Sequence, residues 1–92
     1  MSLLSLLTPT DVQEQLAAAV IARRKAKKWS RQTLAERSSV PASTIKKFET
    51  TGQISLRQFI LLWQAVDQLE NLTLLTKETE AMPASIKEVL KT

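Results

Sequence analysis

Trp29-Ser30-Arg31-Gln32-Thr33-Leu34-Ala35-Glu36-Arg37-Ser38-Ser39-Val40-Pro41-Ala42-Ser43-Thr44-Ile45-Lys46-Lys47-Phe48-Glu49, closed by Gly52, is the stretch on which the fold turns. Ser30 is a helix N-cap residue, its hydroxyl able to accept a backbone N–H of the first turn. Thr33 stands where a capping box has Glu or Gln, so the box is incomplete. Leu34 and Ala35 give this helix its buried side, and it is short, ending near Arg37 or Ser38. Pro41 disfavours a helical conformation at Val40 and is itself comfortable in a first helical turn. A second helix is therefore expected from about Pro41 to Phe48 or Glu49. Ala35 is small enough to let the two helices approach, and Val40 and Ile45 fill the space between them.

Two short helices joined by a tight turn have the geometry of a helix-turn-helix, in which the second helix enters the DNA major groove. At about 100° per residue, Pro41, Ile45 and Phe48 fall on one side of that second helix, flanked by Thr44. Ser43, Lys46, Lys47 and Thr50 fall on the other, with Ala42 at its edge. One face is core; the other is small, hydroxylated and doubly cationic. Small side chains let a helix approach base edges, Lys reaches guanine acceptors, and an Ala methyl meets a thymine methyl.

Outward from this segment the pattern stays helical. Thr10 followed by Asp11 reads as an N-cap with an acidic first turn. Val12, Leu16, Ala19 and Val20 mark one face of a helix running to about Lys28. Its last turn is cationic from Arg23 to Lys28, which complements the negative C-terminal pole. Downstream, residues 50–53 read as a loop. Ser55 caps a further helix in which Leu56, Phe59, Ile60, Trp63 and Val66 recur at helical spacing and form core. Residues 71–76 (Asn71 to Thr76) alternate partly and contain two Thr, which predicts a short strand. A lone strand cannot satisfy its backbone, so a second copy of the chain is the expected partner, with Leu72 and Leu74 at the dimer contact. Residues 77–83 read as a polar link, and 84–91 as a short amphipathic helix through Ile86, Val89 and Leu90. The fold class expected is all-α, with this one strand. The domain proper spans 10–70, the apolar segment 1–9 precedes it, and 77–92 form a tail.

Ninety-two residues suit one domain. The chain contains no Cys and no His, which excludes disulfides, zinc-finger ligation and thiol or imidazole catalysis. No paired carboxylates or activated nucleophile converge on one element, so neither an enzyme nor a cofactor or metal is expected. The longest apolar run, Leu3-Leu4-Ser5-Leu6-Leu7, is far below the roughly 20 residues of a membrane span and lacks the form of a secretory signal. A cytoplasmic protein is expected. Charge is unevenly spread: residues 23–57 carry ten Lys or Arg against Glu36 and Glu49, while both flanks are mildly acidic. A basic middle of this kind is the footprint of a polyanion-binding surface.

The Leu34-Ala35 pair, the apolar Val40 in the turn, the Ser43-Thr44-Ile45 run and Glu49 close before Gly52 together resemble the lambda-repressor/Cro superfamily of helix-turn-helix domains, over about residues 10–66. The resemblance implies phosphate contact at Arg31 and base reading by Ala42, Ser43, Lys46 and Lys47. It also implies a structural ion pair between Arg24 and Glu49. Thr50, Thr51 and Arg57 are further candidates for phosphate. Three departures stand out. Ser39 occupies a turn position where Gly is usual. Arg31 replaces a common Gln, and the Glu49-to-Gly52 link is one residue longer than in many relatives.

A narrower resemblance is to HipB-like antitoxins. It is carried by Thr8-Pro9-Thr10, Trp29-Ser30, Thr44-Ile45, Phe48-Glu49 and Leu72-Thr73-Leu74. It implies a homodimeric, autoregulating repressor that binds an inverted-repeat operator on double-stranded DNA and partners a HipA-like kinase toxin. Two other readings use the same residues: a phage, plasmid or metabolic regulator without a toxin, and a protein-interaction adaptor whose basic face binds acidic protein. The leucines at 3, 4, 6 and 7 are outside the DNA-binding pattern and either pack on their own subunit or dock a partner.

Overall fold

A computed structural model describes residues 6–78. It contains five α-helices, α1 (Pro9–Ala26), α2 (Arg31–Ser38), α3 (Ala42–Thr51), α4 (Leu56–Val66) and α5 (Leu69–Thr73), followed by a 3₁₀ turn at Leu74–Thr76. The tail helix expected at 84–91, and Leu3 and Leu4, lie outside the described residues.

The first helix is capped two residues before the cap expected at Thr10. Thr8 is the N-cap: its Oγ1 accepts from the Asp11 backbone N–H at 3.1 Å, and Asp11 Oδ2 accepts from the Thr8 N–H at 3.0 Å. This reciprocal box satisfies two donors at once, and Pro9 at the first helical position lacks only an N–H that would be unpaired anyway. Ala17, Val20 and Arg24 form the buried stripe of α1, whereas Val12 and Leu16 are 39% and 36% exposed. The inward stripe thus includes an arginine, which an apolar pattern cannot reveal. The helix ends where Lys28 takes a left-handed conformation, φ 60°, and the Trp29 N–H turns back to the Arg24 carbonyl at 3.1 Å.

Ser30 and Ser55 cap α2 and α4, their hydroxyls accepting from the Thr33 and Gln58 N–H groups at 3.0 and 3.1 Å. The third helix is longer than expected. Thr50 and Thr51, read as loop, form its last turn, and Gly52 ends it at φ 78°. The threonine hydroxyls donate back to the Lys46 and Lys47 carbonyls at 2.9 and 2.6 Å, which occupies them within the helix. A left-handed residue after the last turn favours Gly. A Cβ there would also come within 3.1 Å of Gln13 Cβ.

The core gathers Ala17, Val20, Leu34, Val40, Ile45, Phe48, Phe59, Leu62, Trp63 and Val66 from α1 to α4 and the α2–α3 turn. In α4 the buried positions are Phe59, Leu62, Trp63 and Val66, while Leu56 is 74% exposed. Phe48 meets Phe59 edge-on, ring centroids 5.9 Å apart, which fastens α3 to α4. The α2–α3 turn is made by Ser39, at φ 65° and ψ 19°, and by the buried Val40.

A non-Gly residue in the left-handed region costs about 1 kcal/mol. Ser39 is exposed, so Ser39→Gly relieves that strain without removing a core contact. It should raise the unfolding free energy by up to about 1 kcal/mol in urea titration. An unchanged or lower midpoint contradicts the strain argument.

The strand expected at 71–76 is not formed: α5 and the 3₁₀ turn occupy the segment. Asp67 lies just before α5, its Oδ1 accepting from the Gln68 N–H and the Asn71 side chain, both at 2.6 Å, while Arg23 Nε donates to Oδ2 at 2.7 Å. The Arg23 hydrogen bond and the Gln68 N–H hold the Asp67 carboxyl below its ordinary range. Trp63 Nε1 donates to the Gln68 carbonyl at 3.0 Å, and the Thr73 and Thr76 hydroxyls donate to carbonyls three residues back. These local bonds satisfy a helical backbone that an unpaired strand would leave bare. Leu72 packs against the core of its own chain; Leu74 and Leu75 are exposed, at 64% and 86%.

Candidate nucleic-acid interface

The third helix is anchored on one side by Ile45 and Phe48, at 0% and 1% exposure. Ser43, Lys46, Lys47 and Thr50 are exposed and Ala42 is half-buried. The four residues expected to read bases therefore share one surface, and Thr50 adjoins it. A shallow cleft of about 510 Å³ runs from this face to the start of α4, lined by Ser43, Thr44, Lys47, Gln53, Ile54, Ser55 and Gln58. Gln53, Ser55 and Gln58 are not among the site residues expected from the sequence, where Ser55 figures as a helix cap alone. Their signal is position alone: Ser55 is the α4 N-cap and Gln53 and Gln58 flank it, and the fold brings that cap beside α3. Thr51 is less available than expected, because its hydroxyl both donates to the Lys47 carbonyl and accepts from the Gln53 N–H at 3.1 Å. Arg57 is exposed in the first turn of α4 and lines a separate shallow depression with Leu56, Ile60 and Leu61.

Behind α3 lies the charge cluster. Arg24 Nε and Nη2 donate to Glu49 Oε2 and Oε1 at 2.7 and 2.9 Å, a bidentate fork. Arg24 Nη1 donates to the Trp29 carbonyl at 2.9 Å. The Glu49 side chain is 1% exposed and that of Arg24 is 10%. The structure thus brings Arg24 and Glu49 together, and it adds a third member. Arg31 Nε donates to Glu49 Oε1 at 2.7 Å, so the arginine expected at phosphate also has a partner inside the fold. Burial pushes the Glu49 carboxyl up, but the hydrogen bonds from Arg24 and Arg31, with their charge, outweigh it and hold the carboxyl below its ordinary value. The sequence offers bulk charge alone as a hint, ten bases against two acids between residues 23 and 57, and that does not say which base meets Glu49.

The other cations divide clearly. Arg23 lies over the Trp63 ring at 4.6 Å, and Lys27 and Arg37 lie over Trp29 at 5.2 and 5.1 Å. Lys25, Lys28, Lys46, Lys47, Arg57 and Lys77 are exposed and have no acidic partner within ion-pair distance among the described residues. Uncompensated positive charge is therefore left on the outer face of α3, at the end of α1 and at the start of α4. Among the described residues no group of three metal-ligating acids gathers, and no helix is long and apolar enough to cross a membrane.

No protein-family profile, characterised protein or solved structure matches this chain.

Proposed function

We propose that the chain is a sequence-specific DNA-binding repressor, in which α2 and α3 act as a helix-turn-helix and α3 reads the major groove. One observation carries this reading: α3 is fixed by a fully buried apolar side while its opposite side presents Ser43, Lys46 and Lys47 to solvent without acidic partners. A helix that is rigidly held, lined with short side chains and positively charged fits the width and the potential of the major groove. In this reading Arg31 and Arg57 meet phosphates, with Thr50 beside them. The repressor is a homodimer on an inverted-repeat operator. Since 71–76 is helical and Leu72 packs on its own core, the subunit contact is assigned to the exposed Leu74 and Leu75 of that segment. The finer proposal is the autoregulating antitoxin of a HipA-like kinase module. A neighbouring gene for a kinase-like protein, and co-elution of the two purified products, separates it from a regulator without a toxin.

The test is a fluorescence-anisotropy titration against two duplexes, one taken from upstream of the chain's own coding region and one scrambled, at several salt concentrations. Phosphate contacts contribute on every sequence, whereas base contacts discriminate. Arg31→Ala should weaken both complexes and flatten the salt slope by about one unit. Lys47→Ala, or a change at Ser43, should cost roughly 1–3 kcal/mol on the upstream duplex and relax its preference over the scrambled one. Sedimentation of the specific complex should give two chains per duplex. Equal losses on both duplexes for every α3 variant exclude α3 as the reader. Salt-resistant binding to an acidic peptide, with no binding to either duplex, replaces this reading with that of an adaptor.

A further inference from the structure

Glu49 accepts from two arginines that differ in placement. Arg24 lies behind it, nearly enclosed, its three nitrogens donating inside the fold to Glu49 and the Trp29 carbonyl. Arg31 lies in front as the first residue of α2, its side chain 40% exposed. Its Nε is the atom that meets the carboxylate, at 2.7 Å. A guanidinium carries five donors in one plane; the Nε bond uses one of them. The two terminal nitrogens, with the other four, have no acceptor among the described residues. Two positive charges share one carboxylate, so a net positive charge remains, and Arg31, the more exposed of the two arginines, is where solvent meets it. Ordering a long side chain is a large part of what a charged contact costs at an interface. Here that cost is met on folding, because Glu49 already fixes the Arg31 rotamer.

Resting on the nucleic-acid reading above, we infer that Glu49 is a positioning residue that holds Arg31 as a preset two-nitrogen fork for a backbone phosphate. The acid near the end of α3 thereby sets the contact made by α2, and the reading helix and the phosphate anchor are held in one register. Lysine cannot replace Arg31 in this role. Its single ammonium can approach the carboxylate or the phosphate, but it has no second edge with which to hold both in a fixed plane.

The experiment measures Arg31→Lys, Arg31→Ala and Glu49→Gln, alone and combined, against the upstream and scrambled duplexes across a salt series, with a thermal melt of each variant. Arg31→Lys keeps the charge, so its salt slope should stay at the wild-type value while affinity for both duplexes falls about tenfold, the order of the cost of immobilising one rotamer-rich side chain. Arg31→Ala should lose more and flatten the slope by about one unit. In the Glu49→Gln background, Arg31→Lys should cost little further affinity, because the fork is no longer held. A merely structural role for Arg31 would move the melts and leave affinity and slope of the folded variants alone. Arg31→Lys binding as tightly as wild type overturns the inference even if Glu49→Gln does not fold. Folded wild type that binds neither duplex overturns the nucleic-acid reading and this inference with it, and is distinguished by the wild-type titration alone.

Discussion

Glu49→Ala should lower the unfolding free energy by about 3–5 kcal/mol, the range seen when one member of a buried ion pair is removed and its partner is left behind. The geometry places Glu49 in that class. Its side chain is 1% exposed, and it accepts three hydrogen bonds from Arg24 and Arg31. Of the two arginines, Arg24 suffers most from the loss. It is 8% exposed as a residue, its Nη1 is committed to the Trp29 carbonyl, and no other described acid lies within ion-pair distance. Arg31 is exposed enough to return its charge to water, so Arg31→Ala should cost far less, within the 0–1 kcal/mol of a solvent-accessible pair. A double-mutant cycle on Arg24 and Glu49, read by urea titration, should show strong coupling. A Glu49→Ala protein within about 0.5 kcal/mol of wild type, the usual range for surface substitutions, means the cluster is solvated and the clamp does not exist.

The same cluster gives an acid limb to stability, with a definite sign. The Glu49 carboxyl is held below its ordinary value in the folded chain, so the folded state binds fewer protons than the unfolded state in that window. Stability is then fully present above the ordinary carboxylate range and is lost as pH falls toward the folded-state value. Glu49→Gln, where it folds, should show a flatter loss of stability on acidification than wild type. Asp67 contributes in the same direction through Arg23 and Gln68, so some acid dependence persists in that variant.

How much of this was legible in the sequence differs between elements for physical reasons. The caps at Ser30 and Ser55 and the two-sided α3 follow from local chemistry and from a 3.6-residue period, which the chain carries in plain view. The α1 stripe was displaced because its third buried position is Arg24, and burial of an arginine depends on a carboxylate 25 residues away. The segment 71–76 misled because two threonines among leucines suit a strand by composition. What decides its conformation lies outside it, in Asp67, whose carboxylate accepts from both Gln68 and Asn71. The link of Arg31 to Glu49 was hidden for a similar reason: two residues 18 positions apart become neighbours only once α2 and α3 cross. Long-range ion pairs leave no periodic trace, so the site's surface was more legible than the machinery that holds it.

Phe48→Ala should cost about 3–5 kcal/mol of stability, while Lys47→Ala, one residue away, should leave the melt unchanged within about 0.5 kcal/mol. The contrast follows from the rotation of one residue on α3. Phe48 is 1% exposed and meets Phe59 edge-on at 5.9 Å, so truncation opens a cavity between α3 and α4 and removes an aromatic contact worth about 0.5–1.5 kcal/mol in itself. Lys47 is exposed and without an acidic partner, so its loss disturbs no packing. In a domain this small, with total stability on the order of 5–10 kcal/mol, Phe48→Ala populates the unfolded chain appreciably. It should therefore weaken binding to every duplex in step with its lost stability. Lys47→Ala should weaken binding to the upstream duplex while remaining folded. Circular-dichroism melts and anisotropy titrations on the same two proteins separate the cases. A Phe48→Ala protein as stable as wild type would show that α3 is not anchored through its apolar face. The outward presentation of Ser43, Lys46 and Lys47, which depends on that anchor, would then have no structural basis.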